Sequence, residues 1–486
     1  MYYKLKKECF IRCFKDFGYI KSYKGFFDKV FDDSGAVFLS CITRDPQNID
    51  VLIKSIAAKF SDIEEYEIKE DVIDFLDALV NDGFLCKGET ALETIQRDNW
   101  HCYDEIIDFP ITTKNERLLI KDSQDYLSHY TSNKPQIFGC EVELTSKCNE
   151  RCVHCYIPHE NKINSIDPNV FYSLLEQLKE MNTLSLTLTG GEPMLHPLFK
   201  EFLREAKKRD FAVTVLSNLT LLDDETIEIL SEGPISSVQT SLYSLNPKHH
   251  DAITNLPGSY EKTMNSILRI IQNNIPIQIS CPTMSINKDD YADVLDWAQK
   301  HYIRANTDYS IMAKYNHDTS NLEYRLSCEE CGKIIKDLLN GDIHYQQAIL
   351  SSDFLERMEN LEENPEENFC GAGFSSCCVV SNGDIYPCAG WQSYVCGNIK
   401  EKTLKDIWFN SEKFNVLRNI KRKDIKKCLN CKSKAFCSPC LTRFANESKT
   451  GNPLEVPEYF CSVAELNKKI VLDWRNKIIE KSKNNC

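Results

Sequence analysis

Between Cys148 and Cys155 the chain reads Cys148-Asn149-Glu150-Arg151-Cys152-Val153-His154-Cys155, a CxxxCxxC loop that limits the possible folds more than any other segment. Three thiolates converging from one loop can hold three irons of a [4Fe–4S] cluster, whose full set of ligands is four, so one iron is left open. A zinc site is the alternative. Structural zinc needs a fourth ligand, and His154, lying between two of the cysteines, is poorly placed to close it, whereas His159 could. The rest of the cysteines also argue for metal. There are 23 in the chain, and thiols kept reduced in a cytosol gain nothing from disulfides. They are grouped, three at 148–155 and four at 428–440, as ligation requires.

At 486 residues the chain exceeds one ordinary hydrophobic core, so several domains are expected. The net charge of −14, with no basic stripe, excludes a surface built for nucleic acid. The lysines between Lys421 and Lys427 read as a solvated helix face. No run approaches the roughly 20 apolar residues that span a bilayer. Met1-Tyr2-Tyr3-Lys4-Leu5-Lys6-Lys7 leads into no apolar signal core, so a cytoplasmic enzyme is expected.

Residues 1–90 form a small α+β domain. Extended segments at Gly18–Tyr23 and Phe26–Phe31 precede Asp33-Ser34-Gly35, a turn signal. Ile49, Leu52, Ile53, Ile56 and Phe60 keep helical spacing, as do Val72, Phe75, Leu76 and Leu79, with Gly83 as the C-terminal cap of the second helix. Residues 91–135 read as a polar linker. Over 136–325 strands alternate with helices: Glu141–Leu144, Leu184–Thr189, Ala212–Leu216, Ser237–Ser241, Ile277–Cys281 and Thr307–Ile311, with helices such as Val170–Met181 and Phe199–Lys208 between them. Repeated β and α units imply an α/β fold with a parallel sheet, a partial (β/α)6 barrel whose site lies at the C-terminal ends of its strands. Bridging helices with an acidic loop, Glu362–Glu367, occupy 326–369, and a cysteine-rich region fills 370–486.

The second strand ends in Gly190-Gly191-Glu192-Pro193, where paired glycines would let a ligand approach the backbone and Glu192 offers a carboxylate to an ammonium group. A CxxxCxxC loop after strand one and GGEP after strand two together resemble the radical S-adenosylmethionine (SAM) superfamily. The resemblance implies that Cys148, Cys152 and Cys155 hold the cluster and are catalytic, and that the open iron chelates the methionine end of SAM. Gly190, Gly191, Glu192 and Pro193 would contact that end as well. Ser217-Asn218 and Ser241, at the ends of strands three and four, look like the family's ribose and carboxylate contacts; ordinary capping would also explain them. His250–Thr254 and Pro257–Tyr260 match its peptide-modifying branch.

Cys370, Cys388, Cys428, Cys431, Cys437, Cys440 and Cys461 resemble the SPASM extension, which binds two auxiliary [4Fe–4S] clusters; a pair of zinc ribbons is the alternative. Two residues separate Cys437 from Cys440, where the family usually has three. The family pattern gives Cys370, Cys388 and Cys440 to the first cluster, with Cys377 as its fourth ligand and Cys378 next in line. Cys428, Cys431, Cys437 and Cys461 go to the second. Cys328 and Cys331 read as the first turn of a helix, and the remaining cysteines as small buried hydrophobes.

The N-terminal pattern resembles the PqqD-like, winged-helix-like domain that grips a precursor peptide's leader as an added strand; a plain winged helix or structural cap has the same periodicity. The order of parts resembles that of peptide maturases. It implies SAM and three [4Fe–4S] clusters as cofactors, a flavodoxin or ferredoxin-type electron donor, and a Cys thioether installed in a ribosomal peptide. Carbon–carbon crosslinking, epimerisation and formylglycine formation use the same parts. An iron–sulfur electron-transfer or zinc-binding interaction protein is the reading from another class.

Overall fold

The computed structural model describes residues 1–23, 27–61, 63–98, 134–341, 343–359 and 370–484, with isolated positions between 102 and 131 and at 366 and 368. Phe26, most of the 91–135 linker and all of the acidic loop except Glu366 lie outside the described residues.

The N-terminal domain has two small antiparallel sheets. In the first, β1 (Tyr2–Leu5) lies between β5 (Gln47–Asn48) and β6 (Leu85–Gly88); the second runs β2 (Cys9–Cys13), β3 (Gly18–Ser22), β4 (Phe27–Phe31). Helices α1 (Asp33–Leu39), α2 (Ile49–Ala57) and α3 (Glu65–Asn81) cover them, and α4 (Ala91–Gln96) follows β6. Leu52, Ile53 and Ile56 of α2 and Val72, Leu76 and Leu79 of α3 meet Leu5, Ile20 and Phe84 in one core. Gly83 holds φ +84° at the end of α3, the left-handed conformation a glycine cap supplies.

Two N-terminal expectations change. Asp33-Ser34-Gly35 begins α1 and makes no turn; Asp32 holds the extended N-cap conformation, and turns and helix starts favour the same residue types. Tyr2–Leu5, read only as a basic start, is a central strand. Its pattern is broken by Lys4, which is buried and paired with the buried Asp98.

The second unit is the parallel sheet. β7 (Gly139–Thr145), β8 (Ser185–Gly190), β9 (Ala212–Leu216), β10 (Ser237–Ser241), β11 (Ile277–Pro282) and β12 (Arg304–Asp308) lie side by side in chain order. The helices between them are α5 (Pro168–Glu180), α6 (Phe199–Lys208), α7 (Asp224–Ser231), α8 (Pro247–Thr254), α9 (Ser259–Gln272) and α10 (Tyr291–Lys300). Val142, Leu144, Leu186, Leu188, Val213, Val215, Val238 and Ile279 pack into the helix-side core. The alternate residues, Glu141, Glu143, Thr187, Thr189, Gln239 and Ser280, therefore face the concave side, since strand side chains alternate. The sixth strand begins three residues earlier than expected. Arg304, Asn306 and Asp308 are exposed on this edge strand, so apolar alternation is missing, while Ile311 lies beyond it with Tyr243, Ile253 and Met284.

The cysteine-rich region continues the same sheet. β13 (Ser376–Val379) pairs in parallel with β7, and β14 (Asp384–Tyr386) and β15 (Gly397–Asn398) follow antiparallel, so nine strands form one layer. Helix α11 (Cys328–Gly341) leads to α12 (Ile343–Leu350) and α13 (Phe354–Glu359). After the hairpin come α14 (Leu404–Asn410), α15 (Glu412–Asn419), α16 (Lys426–Leu429), α17 (Leu441–Glu447) and α18 (Glu458–Asn484). α18 packs back on α11, where Gly332 leaves room for Leu466. Among the described residues no helix is long and apolar enough to cross a membrane.

The N-terminal domain sits at the end of the barrel where strands enter. Arg12 donates to Thr183 O at 3.1 Å and pairs with Asp210, Arg44 pairs with Asp210 at 2.6 Å, and Tyr23 and Ser185 share a 2.8 Å hydrogen bond. Phe10, Phe17 and Tyr19 pack on Leu184 and Ala212.

Candidate functional site

The cysteine loop leaves the C-terminal end of β7 and is held on three sides. Arg151 N donates to Thr254 O and Val153 N to Ile253 O, each at 2.9 Å, which ties the loop to the end of α8. Asn149 donates to Thr220 at 2.7 Å and accepts from Asn218 at 3.0 Å, tying it to the exit of β9. Glu150 is buried beside the thiols, with Cys152 Sγ donating to its Oε2 at 3.2 Å. Burial pushes the Cys148 thiol up to about 11 and the Cys152 thiol well above its ordinary value, with Glu150 adding to the second, so a bound cation would be needed to hold them as thiolates. His154 is half-buried with its ring edge-on to Tyr243, and the loss of solvent around the ring lowers its pKa to about 4. Among the described residues no three His, Cys, Asp or Glu side chains converge on a single-ion position. A trio of thiols on one anchored loop fits a larger cluster with one corner open.

The GGEP segment is placed by that loop. A Cβ on Gly190 would stand 2.1 Å from Thr145 O, and one on Gly191 2.4 Å from Lys147 O and 2.5 Å from Ser146 O. The glycines were expected to admit a ligand; what they admit is the protein's own backbone at the root of the cysteine loop. Gly191 N and Glu192 N donate to Thr145 O and Lys147 O at 2.8 and 2.9 Å. Pro193 begins a short 3-10 turn that Glu192 caps through Met194 N.

Glu192 is fully buried, and its carboxylate is largely taken. Oε1 accepts from Met194 N and from the Ser217 hydroxyl, and Oε2 from Asn218 N. Burial raises its pKa to about 7 against those three donors. Ser217 and Asn218, expected as SAM contacts, join β9 to the GGEP turn through the Ser217 hydroxyl and Asn218 N, and Ser241 lies half-buried at the end of β10. This role of Glu192 as a clamp was not expected; the signal for it was a lone acid and a Ser-Asn pair at the ends of neighbouring strands.

In the C-terminal region, Cys428, Cys431, Cys437 and Cys461 line one pocket between α16 and the first turn of α18, closed by Phe444 and Phe460. Cys440, the N-cap residue of α17, does not line that pocket; its charge acts on Cys370 and Cys388. Four of the seven cysteines thus share one pocket, and Cys370 and Cys388 lie within reach of the charge of Cys440.

Cys377 is the exception. Its thiol lies in the main core, 3.9 Å from Cys140 on the paired strand β7, on the opposite face of β13 from Cys378. Cys378 packs instead with Val380 and Tyr386 on the side where Cys388 acts on it. Strand alternation separates the two neighbours, so Cys378 and not Cys377 is on the side of Cys388. Cys331 is buried in α11, its thiol 3.3 Å from the Tyr459 hydroxyl.

Comparison with known proteins adds three domain matches: the radical SAM superfamily over residues 142–298, an iron-sulfur cluster-binding (SPASM) domain over 370–432, and coenzyme PQQ synthesis protein D (PqqD) over 30–85. An AdoMet-dependent heme synthase of Methanosarcina barkeri is 26% identical over 344 residues, 68% of this chain and 97% of its own. The antilisterial bacteriocin subtilosin biosynthesis protein AlbA of Bacillus subtilis is 25% identical over 324 residues, 65% of this chain and 69% of its own. Among solved structures, Streptococcus suis SuiB bound to precursor peptide SuiA superimposes with a TM-score of 0.60 at 16% identity, covering 94% of this chain and 99% of that one.

Proposed function

We propose that the chain, in which PqqD, radical SAM and SPASM domains follow one another, is a radical SAM enzyme that matures a ribosomally made precursor peptide by installing a Cys thioether. One observation carries the peptide reading: a leader-binding type of domain is fixed to the barrel through Arg12, Arg44 and Tyr23 and so belongs to the working enzyme. AlbA, a relative over 65% of this chain and 69% of its own, is a bacteriocin biosynthesis protein, and the fold match over nearly the whole chain is to a protein bound to its precursor peptide.

In this reading Cys148, Cys152 and Cys155 hold the SAM-binding cluster. Cys370, Cys378, Cys388 and Cys440 hold the first auxiliary cluster, and Cys428, Cys431, Cys437 and Cys461 the second. When bound, these groups supply a 5′-deoxyadenosyl radical that takes a hydrogen atom from carbon, and a sink for the electron left when a sulfur–carbon bond forms. The protein's share is positional. The Glu192 clamp and the glycine contacts fix the cysteine loop against the strand ends, Ser241 faces the concave side, and the sheet's extension by β13 brings the auxiliary region beside β7. A flavodoxin or ferredoxin-type protein is the expected electron donor.

The heme synthase relative supports a second reading, a tetrapyrrole substrate. Anaerobic incubation with SAM, dithionite and a cysteine-containing precursor peptide separates them by mass spectrometry. Loss of two hydrogens from the peptide, with the bond mapped to a sulfur, supports the thioether; deoxyadenosine formed with an iron porphyrin and an unchanged peptide contradicts it.

A further inference from the structure

A polar cavity lies between the root of the cysteine loop and the β13–β14 hairpin. Ser146 and Ile157, which flank the three cysteines, form one wall, and Ser381 and Tyr386 the facing one, with Tyr315 and Glu143 between. Its volume is about 170 Å³. That is room for a long side chain.

Glu143 gives the cavity its chemistry. The residue is 4% exposed, and its Oε1 accepts from Ser381 Oγ at 2.7 Å and Ser381 N at 3.3 Å. Oε2 has one long contact, Gln392 Nε2 at 3.5 Å, and among the described residues no lysine, arginine or histidine pairs with this carboxylate. A buried carboxylate with one oxygen nearly bare is costly unless a donor arrives. The rest of the wall favours a cation. Tyr315 and Tyr386 offer phenol rings, and Asn161 and Asp384 hydrogen-bond their hydroxyls. Burial pushes the Tyr315 phenol up, and the charges of Glu143 and Glu160 add to the push.

We propose that this cavity is a specificity pocket for a lysine side chain of the peptide substrate, with Glu143 as the counter-charge. It rests on the peptide reading above and deepens it: the lysine neighbours the residue presented at the radical centre, because a single residue separates the pocket wall from the cluster loop at either end, Lys147 before Cys148 and Tyr156 after Cys155. A lysine side chain has five heavy atoms beyond its Cα, which suits the volume better than the bulkier guanidinium.

The test uses cluster-loaded enzyme with SAM and a pair of synthetic peptides, acetyl-Gly-Cys-Gly-Lys-Gly-Gly-amide and its norleucine twin, with anaerobic calorimetry as readout. The lysine peptide binds about tenfold more tightly than its neutral twin, the size expected for one charge-assisted contact. In E143Q that preference falls below about twofold. Gln392→Lys, which sets an internal ammonium beside Oε2 and keeps the Ser381 bonds, removes it as well, so a folding defect in one variant does not decide the outcome. Equal binding of both peptides to the native enzyme, or a preference retained in both variants, overturns the pocket and leaves the peptide reading intact. No binding of either peptide also overturns the pocket, whereas the peptide reading, which rests on the leader-binding type of domain, stands or falls with the mass-spectrometric test on the whole precursor.

Discussion

Ser217 donates its hydroxyl to Glu192 Oε1 at 2.8 Å, and neither residue is more than 7% exposed. Two neighbouring strands of the barrel are joined at the end where the cysteine loop leaves the sheet.

Ser217→Ala removes that donor and leaves a buried carboxylate oxygen short of a partner. A loss of about 1–3 kcal/mol in stability is expected from urea unfolding of the protein, with SAM affinity falling about tenfold. Unchanged SAM binding, measured by equilibrium dialysis, contradicts the clamp.

Gly191→Ala drives a methyl into the Lys147 and Ser146 carbonyls, which form the root of the cysteine loop. About four irons per chain should be lost, with the auxiliary sites retained. Iron analysis with Mössbauer spectroscopy reads this, and full iron content contradicts it.

Cys378→Ala is expected to reduce bound iron and alter the auxiliary-cluster EPR signal, whereas Cys377→Ala leaves both as in the native enzyme. The reverse result would return Cys377 to the ligand set.

His250 is buried and accepts from Tyr243 N at 3.4 Å, and burial lowers its pKa from 6.5 to about 4. Because the folded value lies below the unfolded one, the unfolded chain binds more protons in that window, so stability falls as pH drops from 6.5 toward 4. Between pH 7 and pH 5 this group alone contributes a loss of about 2 kcal/mol. The difference in unfolding free energy between the native protein and His250→Asn should shrink by that amount over the same interval; a constant difference contradicts it.

Much of this was legible in the sequence because the signals were local. The cysteine loop, the GGEP turn and five of six barrel strands declare themselves through spacing and alternation within a few residues. What was not legible depends on partners far along the chain. Tyr2–Leu5 is a strand because Leu85–Gly88 and Gln47–Asn48 pair with it. Which of Cys377 and Cys378 faces Cys388 was not legible because nothing in Ser376–Val379 alone says that β7 is its neighbour. Glycines 190 and 191 looked like ligand space because the chain that fills it arrives from Thr145–Lys147. The edge strand Arg304–Asp308 escaped by its polarity, which is normal at a sheet edge.

The central claim is that Cys148, Cys152 and Cys155 hold a cluster with one iron open to SAM. The direct measurement is deoxyadenosine release from SAM under dithionite by anaerobically reconstituted enzyme, native against the variant with alanine at all three positions. The account predicts about twelve irons and steady release from the native enzyme, and about eight irons with no release above background from the variant. Release at the native rate from the variant contradicts it.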